Sequence, residues 1–70
     1  MNGPLTSATN YALIACRLRS IGVVNVRDWS SLKGAIAGLE NAVLLEWLEE
    51  EYAKGTDVVL MTNFHLGNGT

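Results

Sequence analysis

One cysteine, Cys16, and one histidine, His65, stand in this 70-residue chain. A lone thiol excludes an internal disulfide, and one Cys with one His excludes a zinc site of the usual four-ligand type. No apolar stretch approaches the ~18–20 residues that a membrane span needs. The N-terminus lacks the basic segment and apolar run of a signal peptide. A free thiol without a partner fits a reducing compartment, so the expectation is a cytoplasmic protein off the membrane. Missing too are a Walker A loop, a GxGxxG turn after a strand, an HExxH helix and an EF-hand loop. "NGT" at 68–70 matches a glycosylation sequon, which without a signal peptide carries no weight.

Charge is also scarce. Charged residues make up 17% of the chain and hydrophobic ones 49%, which excludes a disordered polypeptide. The difficulty is size, because a domain this small hides only about 60% of the surface its unfolded chain exposes. With disulfide and zinc excluded, efficient packing or self-association must make up the difference. The expectation is one domain over 1–70, with loose ends at 1–5 and 67–70.

The little charge present is unevenly placed. Residues 1–35 hold Arg17, Arg19, Arg27 and Lys33 against Asp28, giving +3. Residues 36–70 hold Glu40, Glu46, Glu49, Glu50, Glu51 and Asp57 against Lys54, giving −5. Either the halves face each other within one fold, or each recruits an opposite charge on another molecule.

The apolar spacing predicts an N-terminal helix over about 7–21. Tyr11, Ile14, Ala15, Leu18 and Ile21 share one face, Thr6, Ser7 or Thr9 caps its start, and Gly22 ends it in a left-handed turn. "VVNV", 23–26, reads as a short strand or extended connector. Asp28 is placed to N-cap the next helix. Trp29, Leu32, Ile36, Leu39 and Val43 then step by three and four, which supports one long helix from 29 to about 54. Gly34 and Gly38 argue for a kink or a split near 38, and "GAIAG" also offers small residues for another backbone to approach. Gly55 ends the helix, with Glu50 and Lys54 as an i,i+4 pair. "DVVLMTNFHL", 57–66, alternates Val58, Leu60, Thr62, Phe64 and Leu66 with Val59, Met61, Asn63 and His65, and so predicts a strand covered on both faces in its first half. The fold class read from this order is α+β and helix-dominated. Two strands alone make a marginal sheet whose edges invite a second copy.

Chemistry-bearing groups are few. Cys16 and His65 are the one thiol–imidazole pair, but Cys16 reads as a small packed hydrophobe within an amphipathic helix, and His65 as a polar face residue or a cap over the core. Glu46, Glu49 and Glu50 read as a solvated helix face rather than a cation site. The expectation is a non-enzymatic protein with no cofactor and no metal. A winged-helix reading fails on charge, since a recognition helix at 39–54 would carry five glutamates against Lys54 and be repelled by phosphate.

Trp29 reads as core. In "LENAVLLEWLEEEY", 39–52, the apolar residues point in too many directions for one small core, so Leu44, Trp47 and Leu48 are assigned to an interface. Glu49, Glu50 and Glu51 form its charged rim and would steer a basic partner. The functional expectation is a small protein–protein interaction module that self-associates as a dimer, of the size of a phage- or mobile-element-encoded regulator or inhibitor. The alternatives are a small nucleic-acid-binding regulator using Arg17, Arg19, Arg27 and Lys33, and a structural assembly protein.

Overall fold

The computed structural model describes residues 7–67. Among these the fold is all-helical: α1 (Ser7–Ser20), α2 (Trp29–Gly38), α3 (Ala42–Ala53) and α4 (Val58–Leu66), with no strand. This corrects the α+β class. Of the expected loose ends, 1–5 and 68–70 lie outside the described residues, as does Thr6, and Gly67 serves as the C-cap of α4.

α1 forms as its spacing predicts, with Tyr11, Ile14, Ala15 and Leu18 buried along one face. Ile21, expected on that face, is instead 50% exposed. Gly22 ends the helix at φ 89°. Its N–H donates to the Arg19 carbonyl at 3.0 Å, and the Val23 N–H donates to the Leu18 carbonyl at 2.9 Å, the paired bonds of a Schellman stop. Asp28 caps α2 by accepting from the Ser31 N–H at 2.8 Å, and these contacts with Ser31 hold its carboxyl below the usual carboxylate range.

The expected long helix is two helices. The break falls just past Gly38, and its left-handed residue is Glu40 at φ 55° rather than a glycine. Asn41 then accepts from the Leu44 N–H at 3.2 Å and starts α3. α3 stops on Gly55, φ 92°, with Thr56 N–H donating to the Glu51 carbonyl at 3.1 Å. Lys54 pairs with Glu51 at 2.8 Å rather than with Glu50.

The largest correction concerns 57–66, which is helix α4 and not a strand. Asp57 accepts from the Leu60 N–H at 3.1 Å, and Gly67 closes the far end at φ 96°. The run is apolar at nearly every position, so it fits a period of two and a period of 3.6 equally. A strand there would have needed a ladder partner, and a helix pairs its own backbone groups. The connector 23–26 forms no ladder either. Val26 instead has its N–H bonded to Asn63 Oδ1 at 2.8 Å and its carbonyl to Asn63 Nδ2 at 2.8 Å. A single amide side chain thus stands in for the neighbouring strand.

α1 and α4 make the most extensive helix pair. The core comprises Tyr11, Ile14, Leu18, Val26, Leu32, Ile36, Leu44, Leu48 and Val58, with Trp29, Leu39, Leu45, Trp47 and others packed around it. Trp29 is half-buried, its ring stacked on Tyr52 at 4.4 Å with Lys33 Nζ 5.6 Å from its centroid. The expected seam ends at the break, leaving Val43 73% exposed.

Two predictions follow from this packing. A Cβ placed on Gly34 or Gly38 meets no atom within 4 Å beyond its own helix backbone and chain neighbours, so among the described residues no second backbone approaches "GAIAG". Gly34→Ala is therefore expected to raise stability by about 1 kcal/mol in urea unfolding. Asn63→Ala is expected to lower it by about 1–3 kcal/mol, because both Val26 backbone groups lose their partner. Asn63→Asp, which keeps the acceptor but sets a carboxylate oxygen against the Val26 carbonyl, should cost at least as much as Ala.

Candidate functional site

The six residues assigned to an interface separate in three dimensions. Leu44, 6% exposed, and Leu48, 0% exposed, point into the core of their own chain. Trp47 is half-buried, with its ring edge-on to Tyr11 at 5.0 Å and 72°. Glu51 is buried, accepting from Thr56 Oγ1 at 3.2 Å and paired with Lys54. Glu49 and Glu50 are exposed on α3. The stripe that the sequence suggests for a second chain is thus largely spent on this one.

Tyr11 organises the interior next to it. Its ring stacks on His65 at 6.1 Å and 11°, in addition to the Trp47 contact, so α1, α3 and α4 meet on one side chain. Burial pushes the Tyr11 hydroxyl up to about 12, with the charges of Glu51 and Asp57 adding to the shift. The Tyr11 and Thr62 hydroxyls are buried without a hydrogen-bond partner among the described residues. His65 is a half-buried cap over Tyr11, and its ring also meets Phe64 edge-on at 5.4 Å. Cys16, expected to be packed, is exposed instead. Among the described residues no group of three or more His, Cys, Asp or Glu is placed to hold a metal ion, and no helix is long and apolar enough to cross a membrane.

Two surface features remain. One is an open cavity of about 340 Å³ at the corner between α2 and α3, lined by Ile36, Ala37, Glu40, Asn41, Ala42 and Leu45. Among its described lining residues Glu40 is the one ionisable group, and the Asn41 side chain is engaged as the α3 cap.

The other feature is the outer side of α4. Val58 and Thr62 are buried one turn apart on its inner side, and Leu60 and Phe64, also one turn apart, face outward at 56% and 54% exposure. Residues 58–64 include no charged side chain. A helix that is apolar all round belongs inside a protein, yet one side of α4 is open. Sequence reasoning missed Leu60 and Phe64 as surface residues. The signal was present in the observation that both faces of 57–66 are apolar, but a strand reading turned that into burial on both sides.

Compared with known protein families, curated proteins and solved structures, the chain matches none.

Removing either orphan hydroxyl, by Tyr11→Phe or Thr62→Val, is expected to leave stability unchanged or raise it by about 1 kcal/mol. A loss of similar size would reveal a partner for that hydroxyl. The raised Tyr11 value also fixes a pH response. Because the folded chain holds this proton to about 12 against 10.0 for an unperturbed tyrosine, the contribution is complete below pH 10 and is lost as pH rises from 10 towards 12. Melting temperature should fall over that window, and fall less in Tyr11→Phe.

Proposed function

We propose that this chain is a small non-enzymatic module acting through protein–protein contact, with the outer ridge of α4, Leu60 and Phe64, as its contact surface. The observation that carries the reading is a helix without charge over 58–64 whose apolar character continues onto the solvent side. An exposed apolar ridge has a free-energy reason to be covered, at roughly 25 cal/mol per Å². This replaces an interface built on Leu44, Trp47 and Leu48, two of which are core. Glu49 and Glu50 remain exposed on α3 to steer a basic partner. A cytoplasmic setting, where an exposed Cys16 thiol stays reduced, accompanies this reading.

The nucleic-acid alternative draws less support. Arg27 lies 3.4 Å from Asp28, and Lys33 sits over Trp29. Two of the four cations that would meet phosphate thus already have neighbours within the chain.

The test is affinity capture with the wild-type chain and with Leu60→Glu/Phe64→Glu, both checked for helicity by circular dichroism. Since neither side chain belongs to the core, the double variant is expected to keep its fold within about 1 kcal/mol. At least one protein, the chain's own copies included, should be retained by the wild type and lost with the variant. Equal recovery on both would sink the reading.

A further inference from the structure

We propose that the surface covering α4 is α4 of a second copy, running antiparallel about a twofold axis and held in register by Arg19 of each copy against Asp57 of the other. This inference rests on the contact-surface reading above and names the partner.

The argument begins with the distribution of charge along α4. Its middle, 58–64, has none, so the ridge offers nothing for a charged foreign segment to pair with and nothing that would repel its own duplicate. Its two ends carry opposite signs. At the N-terminal end Asp57 is exposed, and the neighbouring Glu51 is already matched by Lys54. At the C-terminal end the Arg19 guanidinium, also exposed, is held by its bond to the His65 carbonyl at 3.2 Å. A nine-residue helix is about 13 Å long.

Laid antiparallel about a twofold that crosses the outer side of α4 midway between Leu60 and Phe64, Leu60 of one copy meets Phe64 of the other. Each Arg19 then falls at the end that carries the other copy's Asp57. A parallel arrangement would instead place like charges together. Twofold contacts are isologous, so one self-complementary patch suffices, and the antiparallel helix dipoles add to the preference.

The size of the patch sets the strength. Stable two-chain interfaces cover roughly 800 Å² per partner, about a fifth of the 4234 Å² that this chain exposes. A ridge one short helix long covers less. Because Leu44, Leu48 and the rest of the core are closed within one chain, the protomer does not need its partner to fold. The dimer is therefore reversible and depends on concentration.

Sedimentation equilibrium from about 10 µM to about 1 mM is expected to show the mass rising from 7.6 kDa towards twice that value. Arg19→Asp and Asp57→Lys are each expected to weaken self-association about tenfold, since every homodimer then sets like charges together. An equimolar mixture of the two should recover near-wild-type association, because in the mixed dimer both pairs are again opposite in sign. Asp57→Lys removes the α4 cap, so Arg19→Gln and Asp57→Asn serve as the second pair. Asparagine still caps, and each of these variants should weaken association without loss of helicity or rescue on mixing.

A mixture no more associated than its parents overturns the antiparallel register, and unaltered association of the Gln and Asn variants does the same. A wild type that stays at 7.6 kDa throughout overturns the second copy as occupant. If Leu60→Glu/Phe64→Glu nonetheless loses a captured foreign protein, the contact-surface reading survives that result. If the wild type dimerises and the double variant dimerises equally, both statements fall.

Discussion

Tyr11 is the side chain on which the arrangement of helices depends. It projects from α1, takes the edge of Trp47 from α3, and stacks against His65 from α4. Three of the four helices are therefore oriented by contacts to one ring, which is 1% exposed. Aromatic pairs of this kind contribute beyond the area they bury because their geometry is directional. Tyr11 also explains why His65 caps the interior and why Trp47 turns partly inward. The close packing of α1 on α4 follows from it and brings the first and last described helices together.

Around that centre the chain uses single side chains to save length. The Asn63 amide supplies both hydrogen bonds that a neighbouring strand would have given Val26, so the connector between α1 and α2 is held without a sheet. Asp28, Asn41 and Asp57 each cap a helix with one side-chain oxygen. These bonds let 61 described residues form four helices with short links. The result is a core closed within a single chain, which bears on function. Leu44 and Leu48, which an interface would have used, are among the residues so closed.

Part of the exposed apolar surface lies on α4, with Val24, Val43 and Ile21 exposed elsewhere. The same absence of charge that lets its inner side pack against α1 leaves its outer side apolar, and the two sides cannot be told apart by composition. The interface first suggested by Leu44, Trp47 and Leu48 arises from a similar ambiguity in α3. Its apolar residues point in several directions, and they appear to be too many for one core only if a single continuous helix is assumed. Once the chain breaks at Glu40, α3 turns Leu44 and Leu48 inward and Val43 outward.

Much of the fold was therefore legible in the residues. The end of α1 at Gly22, the Gly55 stop and the Asp28 cap follow from the sequence alone, because a cap or a left-handed glycine acts within three or four residues of itself. The buried face of α1 was legible too, since polar residues between its apolar ones mark a period. Charge scarcity and the unpaired Cys16 were equally plain. The helical state of 57–66 was not legible, because an unbroken apolar run has no polar residue to mark a period. Nor was the inward aim of Leu44 and Leu48, or the exposure of Leu60 and Phe64. Those depended on which surfaces α1 and α2 offered, and an apolar side chain takes its direction from the neighbour that covers it.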